Sequence, residues 1–173
     1  MKLLITKRKL TAKEIDLLQK EISDSLNITL FSKHRWRKFD ILFVATHQGK
    51  LVGVCAVVDL DNWGKIGPLI ILKNYQGKKC GTKLLNHVVT TFRHHNLFIG
   101  SSNSKVWSIV NKLRFNQIGY SKLPKQVKLY FFKYIIENLN CSFILDTIKK
   151  RLLHKRGEYK TFIRCSSSTF SNH

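Results

Sequence analysis

A short loop between a strand and a helix carries the residues best suited to chemistry in this sequence. Apolar residues predict a strand over 66–73, and the loop that follows, 74–81, reads NYQGKKCG. Leucines and valines at helical spacing then predict a helix over 82–95. Backbone N–H groups in such a loop stay unpaired at the positive end of the helix dipole, so they can bind an anion. The loop is therefore a candidate site for a pyrophosphate.

Three lysines add positive charge to this loop: Lys78, Lys79 and Lys83. The patterns GxxxxGK[ST] and GxGxxG are absent from the sequence, so neither a P-loop nor a dinucleotide fingerprint is predicted. An alternative stays open in which Gly77 and Gly81 only form the turn. The four cysteines form no CxxC pair and no histidine spacing completes a zinc site, so no metal is expected.

The segments before the loop must place the strand that leads into it. The sequence predicts a first strand, an amphipathic helix and the two strands of a hairpin, over residues 2–8, 12–26, 41–46 and 50–60. Thr11 and Glu14 form the capping box expected at the start of that helix. The basic segment 32–39 is placed in a loop or a short helix.

Short strands and helices continue after the loop. A strand, a helix and a further strand are predicted over residues 97–101, 104–113 and 117–123. Beyond Pro124, the spacing favours a helix over an aromatic-rich strand, with an apolar face made of Leu129, Phe132, Ile136 and Leu139. Three further segments are predicted: a second basic helix to about residue 156, a strand over 158–164 and a flexible tail over 166–173.

Hairpin strands followed by strand–helix crossovers predict an α/β protein. Its sheet is expected to be mixed, with helices packed on both faces. The length of 173 residues, with 43% hydrophobic residues and no linker or internal repeat, predicts one domain over 1–165. Within it, the core is expected over about 40–123 and a basic helical extension over about 125–156.

The loop resembles the acetyl-CoA pyrophosphate loop of the GNAT N-acetyltransferase superfamily. That family writes the loop as [R/Q]-x-x-G-x-[G/A], which falls on Gln76-Gly77-Lys78-Lys79-Cys80-Gly81, with lysine at position 79 where the family has glycine. A second family signature, N-x-x-A-x-x-L-Y-x-x-x-G-F, aligns without gaps on Asn103 to Phe115. The resemblance covers about 40–123 and implies a GNAT-like fold with a twisted, mostly antiparallel central sheet.

The resemblance also implies acetyl-CoA as the cosubstrate and transfer of its acetyl group to a primary amine of an unidentified acceptor. The residues implied to hold the pantetheine arm are Ile71, Leu72, Lys73 and, from the other side, Asn103. The resemblance implies that the strand over 66–73 diverges there from the strand over 97–101. Those implied to cradle the pyrophosphate are Gln76, Gly77, Lys78, Lys79, Cys80, Gly81 and Thr82. A positive φ at Lys79 would strain its backbone, so this departure from the family bears on cofactor affinity.

The catalytic residues of the family have no direct counterparts in this sequence. The family's usual acid, a tyrosine, falls on Val110, which cannot transfer a proton, and the nearby family glycine falls on Arg114. The usual carboxylate base falls in the region 65–67, which reads Lys-Ile-Gly. The candidates that remain are Asp59, Asp61 and Tyr120. A non-catalytic GNAT-like module that binds CoA or nucleic acid is therefore an alternative.

The strong positive charge predicts an acidic partner beyond one small cosubstrate. The chain has 31 Lys+Arg against 10 Asp+Glu, a formal net charge of +21. Residues 103–164 hold 14 of those cations, and 32–38 hold four more around Trp36, a candidate for base stacking. Nucleic acid or another polyanion is the expected partner, and an RNA-linked acceptor such as aminoacyl-tRNA is an alternative substrate. Solvated helix faces remain the simpler interpretation of the same charge.

The sequence also predicts the cellular compartment of the protein. The first residues, MKLLITKRKL, lack the apolar stretch of a signal peptide, and the longest apolar runs are far shorter than the ~20 residues that span a bilayer. We therefore expect a cytoplasmic protein without a membrane span, in which the cysteines stay reduced.

Overall fold

Seven strands form one mixed sheet in the computed structural model of the chain, which describes residues 1–25, 28, 32–138, 148 and 158–166. The strand order is β1-β2-β3-β4-β5-β7-β6. The strands are β1 (Leu4–Lys7), β2 (Ile41–His47), β3 (Lys50–Leu60), β4 (Trp63–Ile71), β5 (Asn96–Ser101), β6 (Asn116–Ile118) and β7 (Lys160–Arg164). Neighbouring strands pair antiparallel except β4 and β5, which are parallel. The mixed, mostly antiparallel sheet is thus confirmed.

Five helices connect these strands in the described part of the chain. They are α1 (Ala12–Asp24), α2 (Lys33–Lys38), α3 (Cys80–Thr91), α4 (Ser104–Lys112) and α5 (Lys125–Asn138). The capping box of α1 is present, since Thr11 Oγ1 accepts from the Glu14 N–H and the Glu14 carboxylate accepts from the Thr11 N–H. The Arg8 guanidinium, 2.6 Å from that carboxylate, holds the pKa of Glu14 below its usual range.

The helices cover both faces of the sheet, as predicted. Alternate residues of the central strands point to opposite faces. On one face, α3 and α4 bury Leu84, Leu85 and Val110 against β2–β5. On the other, α1 and α2 bury Leu18 and Trp36 against β2, β3 and β4. A third cluster lies under α5, where Val127 packs with Trp63 and Phe98.

The strand predicted over 117–123 is wrong beyond Ile118. β6 ends at Ile118, and Tyr120–Lys122 form a short 3-10 helix. The reason is the register with β7: Ile118 pairs with Thr161, one residue from the start of β7 at Lys160. Beyond Gly119, which falls opposite Lys160, a longer β6 would have no residue of β7 as a partner for its backbone groups.

The helix preferred after Pro124 is confirmed as α5, but its predicted buried face is wrong. Leu129 and Phe132 are 67% and 62% exposed, whereas Val127 is buried, with Phe131 partly buried beside it. Both faces of α5 carry apolar residues at helical spacing, so the pattern alone does not select the face. The sheet selects it, because Val127 and Phe131 pack on the apolar cluster that contains Trp63 and Phe98.

Several predictions concern residues at the end of the chain. Leu139, the second basic helix to about 156 and residues 167–173 of the predicted tail lie outside the described residues. The predicted tail begins too early, because Ser166 is buried and its N–H donates to Asn96 Oδ1 at 2.9 Å. That bond ties the end of β7 to the start of β5.

Candidate functional site

The parallel strands β4 and β5 separate halfway along β4 and leave an open slot. Their pairing runs from Trp63↔Asn96 to Ile66↔Ile99 and ends there. Pro68, which has no N–H to donate, follows in β4. The rest of β4 continues to pair with β3, and the rest of β5 with β7. The predicted divergence of these two strands is therefore present, and one edge of β4 faces the slot.

The end of β4 offers backbone groups to this slot. The Leu72 N–H donates to Val52 O of β3 at 2.9 Å, so Leu72 turns its backbone away from the slot. Because successive strand residues alternate, Ile71, the last residue of β4, turns its N–H and carbonyl groups towards it. Lys73 begins a 3-10 helix, and its carbonyl accepts from the Gln76 N–H at 3.2 Å. Of the three residues implied for the pantetheine arm, Ile71 thus offers both backbone groups and Lys73 only its N–H.

A carboxylate from α1 occupies part of this position. The Lys73 N–H donates to Glu21 Oε2 at 2.9 Å, and Gln76 Nε2 donates to Glu21 Oε1 at 3.2 Å. Gln76 Nε2 also donates to Ile71 O at 2.9 Å. Glu21 is a residue that the sequence reasoning missed, because 52 residues separate it from Lys73 and no local pattern signals the contact.

The loop after β4 gathers free backbone N–H groups. Along the chain, the last backbone N–H that donates before this stretch is that of Gln76, to Lys73 O at 3.2 Å. The next one that donates is that of Lys83, to Lys79 O at 3.0 Å. Within the described chain, the N–H groups of residues 77–82 make no hydrogen bond between these two. Gly77 has φ +76, which turns the loop into α3. Such an arrangement at a helix N-terminus can hold an anion, and we refer to residues 77–82 as the anion cradle.

The helix after the loop begins at Cys80 rather than at residue 82. Cys80, Gly81 and Thr82 therefore form its first turn, whose N–H groups point out of the helix end. A Cβ placed on Gly81 would lie 3.5 Å from Ile71 Cγ1, so α3 approaches the end of β4 closely. Lys83 does not serve the cradle, because its Nζ donates to Met1 O at 2.9 Å.

Lys79 has a left-handed backbone, with φ +59 and ψ +15, as the N-cap residue of α3. Arg114 has φ +61. Both positions are glycines in the family signatures, so this chain keeps the backbone conformation without the residue that adopts it most easily. A non-glycine residue in this region costs about 1 kcal/mol.

We expect Lys79→Gly to raise the free energy of unfolding by about 1 kcal/mol, because glycine enters the left-handed region without steric cost. Urea denaturation measures the change. Lys78→Gly is the matched control, since it removes a neighbouring lysine from a residue without positive φ. The prediction is contradicted if the two variants have the same stability.

Asn103 lies at the opposite edge of the slot, just after β5. It is the N-cap of α4, and its Oδ1 accepts from the Lys105 N–H at 2.9 Å. The capping bond uses the side-chain oxygen and leaves the amide NH₂ as a donor. Asn103 can therefore hold α4 in place and offer a hydrogen bond to a ligand.

The three candidate catalytic residues lie on two segments, the β3–β4 hairpin and the 3-10 helix after β6. Asp59 pairs with Gly64 near the β3–β4 turn, and Asp61 lies in that turn with φ +58; both are exposed. Tyr120 is 60% exposed on the 3-10 helix, not on a strand as predicted. Val110 is fully buried. The structure thus brings no carboxylate or phenol of this set to the slot.

Trp36 does not have the exposure that the base-stacking hypothesis requires. Its side chain is 1% exposed and packs 5.8 Å from the Phe39 ring. The hypothesis is therefore corrected: α2 is amphipathic, with Trp36 inside and its basic residues outside. Among the described residues, no helix is long and apolar enough to cross a membrane. No group of three or more His, Cys, Asp or Glu side chains in these ranges could hold a metal ion.

A sheet opened between two parallel strands, with an anion cradle at its end, defines an acyl-CoA-dependent N-acyltransferase fold. The model of the Acetyltransferase (GNAT) family matches residues 12–108, more than half of the chain. The chain therefore belongs to the GNAT acetyltransferase family. A search of curated proteins finds no match.

Solved structures with this fold are similar over nearly the whole chain. N-acetylglutamate synthase from Neisseria gonorrhoeae, complexed with coenzyme A and N-acetyl-glutamate, has a TM-score of 0.65 at 16% identity. The match covers 93% of this chain and 35% of that one, so this chain spans about a third of that enzyme. The ribosomal-protein-S18-alanine N-acetyltransferase from Escherichia coli has a TM-score of 0.61 at 12% identity, with 98% and 99% covered.

A third similar structure is Rv2747 from Mycobacterium tuberculosis in complex with CoA. Its TM-score is 0.64 at 12% identity, with 92% of this chain and 98% of that chain covered. At these identities the similarity shows a shared fold.

Proposed function

We propose that this chain transfers the acetyl group of acetyl-CoA to a primary amine. The observation that carries the proposal is the set of unpaired N–H groups over residues 77–82, beyond the point where β4 and β5 cease to pair. Membership of the GNAT family and similar structures crystallised with CoA support it. Three described cysteines, Cys55, Cys80 and Cys165, are free thiols, which suits action in the cytoplasm.

In this proposal, different residues hold the pyrophosphate and the pantetheine arm of the cosubstrate. The N–H groups from Gly77 to Thr82 hold the pyrophosphate, and Lys78 adds positive charge. The backbone of Ile71 and Lys73 and the amide of Asn103 hold the pantetheine arm. Since Gln76 and Glu21 already bond Ile71 O and Lys73 N, the arm takes these partners only when those side chains move aside.

Catalysis then rests on proximity rather than on a dedicated acid. Acetyl-CoA supplies the acetyl group as a thioester. The amine nitrogen forms a bond to the acetyl carbon, the carbon–sulfur bond breaks, and the sulfur leaves with the electron pair as thiolate. Val110 cannot protonate it, and in this scheme water accepts the proton that the amine nitrogen loses and supplies the proton that the thiolate takes up. Holding the two reactants in line supplies the larger part of such an acceleration.

Calorimetry with acetyl-CoA and with CoA tests the cosubstrate, and release of free thiol with a panel of primary amines tests the transfer. We expect micromolar binding and amine-dependent thiol release. Absence of cosubstrate binding in the micromolar range would overturn the proposal. Binding without any amine-dependent release would leave the non-catalytic, CoA-binding module as the function.

The net charge of +21 favours a second candidate, an acceptor carried by RNA. The cation excess in 103–164 is larger than one CoA molecule neutralises. Retention on an RNA column that falls steeply with salt, with a linear log–log slope, would support this candidate. Weak retention with a shallow slope would indicate that the basic side chains are solvated and do not bind RNA.

A further inference from the structure

A lysine of β4 lies close to residues of both α2 and α5. Lys65 is on β4, paired with Phe98 of β5, one residue before the last parallel pair. Its neighbour Ile66 points into the α3 core, so Lys65 points to the opposite face. There its Nζ lies 5.8 Å from the ring centroid of Tyr130 on α5. The side chain keeps partial exposure, while its ammonium is surrounded by protein.

The ammonium of Lys65 is held at the mouth of the slot. Its Nζ donates to Gly67 O at 2.6 Å, and Gly67 is the first residue of β4 that no longer pairs with β5. An ammonium has three N–H donors. The bond to Gly67 O fixes its position and leaves two donors for a ligand.

The charged neighbours of Lys65 on each packed element are few. Arg35 of α2, whose guanidinium lies 4.5 Å above the Tyr134 ring, repels the ammonium. Burial and this repulsion lower the pKa of Lys65 to about 8. Cys55 on β3 is a buried thiol whose own pKa is raised to about 12, so it stays neutral. In the described ranges, no ion pair includes Lys65.

The course of the slot along β4 indicates where Lys65 lies relative to the bound cosubstrate. The anion cradle lies beyond Ile71, at the far end of β4. A strand rises about 3.3 Å per residue, so Gly67 lies about 13 Å from Ile71 along β4. A pantetheine arm that starts at the cradle and follows this edge brings its thioester towards Gly67. The amine that reacts there would meet Lys65.

We propose that Lys65 binds a carboxylate of the acceptor, so that the substrate class is a carboxylate-bearing amine such as an amino acid. This inference rests on the proposed acetyl transfer. A desolvated cation without a carboxylate partner gains most from an anion that replaces its lost solvation. The two remaining N–H donors match the two oxygens of a carboxylate. Polyamines and simple alkylamines lack that group and meet only repulsion from Lys65 and Arg35.

The test compares acceptors that differ only in the carboxylate. Thiol release is measured with L-alanine and L-glutamine, each beside its α-amide, which has no carboxylate. We expect kcat/KM to favour the carboxylates by about tenfold, the value of one charge-assisted hydrogen bond. Lys65→Met should abolish this preference, mainly through KM, and Lys65→Arg should keep part of it. Lys122→Met, which removes an exposed lysine, is the matched control and should keep the full preference.

The pH dependence gives a second measurement. Below pH 8 the free protein carries a charged Lys65, and above it the ammonium loses its proton. Because a bound carboxylate favours the charged form, the preference for carboxylates should weaken as pH rises through about 8. An unchanged preference between pH 7 and pH 9.5 contradicts the inference.

The failures of the two proposals are distinguishable. Equal use of acids and amides overturns the inference but leaves the acetyl transfer standing. The inference is also overturned, and the acetyl transfer stands, if Lys65→Met lowers kcat by the same factor for every amine and leaves KM unchanged. That result would indicate a role of Lys65 in proton transfer. If no tested amine reacts, N-acetyl-L-glutamate and N-acetyl-L-alanine, each against its amide, are titrated into the CoA-loaded protein by calorimetry. Absence of a carboxylate preference there overturns the inference.

Discussion

Replacing Gly77 by valine lowers the affinity for acetyl-CoA about a hundredfold, a loss of about 3 kcal/mol. Gly77 has φ +76, a region that a β-branched residue does not adopt without large strain. The loop must therefore change its path, and the N–H groups of residues 77–82 no longer converge. Loss of two charge-assisted hydrogen bonds to the pyrophosphate, each about 1.5 kcal/mol, accounts for the expected change.

Gly49 offers a closely matched control for this experiment. It has φ +74 in the β2–β3 turn, and a Cβ placed on Gly49 or on Gly77 would meet no atom within 4 Å. Gly49→Val should thus carry a similar backbone strain and a similar loss of stability in urea. Its acetyl-CoA affinity, measured by calorimetry on folded protein, should equal that of the unmodified chain. Equal affinities of the two valine variants would show that the 77–82 loop does not bind the cosubstrate.

The parts of this fold that the sequence predicts are those set by local contacts. The Thr11–Glu14 capping box, the turn at Gly49 and the loop after β4 depend on residues a few positions apart. Hydrophobic spacing located α1, α3 and α4 within a few residues for the same reason. The divergence of β4 from β5 followed from the family resemblance and is present where expected.

The parts that the sequence does not predict depend on distant partners. Glu21 reaches Lys73 across 52 residues of chain, and nothing in α1 signals this contact. The buried face of α5 is selected by Trp63 and Phe98, which belong to other strands. The end of β6 is set by where β7 begins. The sequence shows Lys65 only as a residue that cannot replace the carboxylate base, because its hydrogen bond to Gly67 O and its position beside Tyr130 are properties of the folded chain.

The two mismatches to the family signatures lead to one conclusion. Lys79 and Arg114 replace glycines, yet both have positive φ. The sequence left open whether Lys79 would avoid that region, and the structure shows that it does not. A motif of this kind therefore describes a backbone conformation. Replacing its glycine lowers the stability of the protein, but the backbone keeps the same conformation. This is why a degenerate loop still forms an anion cradle.

Replacing Trp36 by alanine lowers the free energy of unfolding by about 3–5 kcal/mol, because the side chain is large and fully buried. Trp36 fills the space between α2 and the sheet, among Leu18, Phe39 and Leu42. Alanine leaves a cavity that these neighbours fill only partly. Urea denaturation followed by far-ultraviolet circular dichroism measures the loss.

Trp36→Phe keeps the experiment informative if the alanine variant does not fold. It should cost less than the alanine variant and leave the salt dependence of RNA retention unchanged, since a buried ring does not stack on bases. Tyr120→Ala is the exposed control, with an expected change within about 0.5 kcal/mol. A Trp36→Phe variant of native stability that loses affinity for an oligouridylate probe would contradict this account. It would restore base stacking as the role of Trp36.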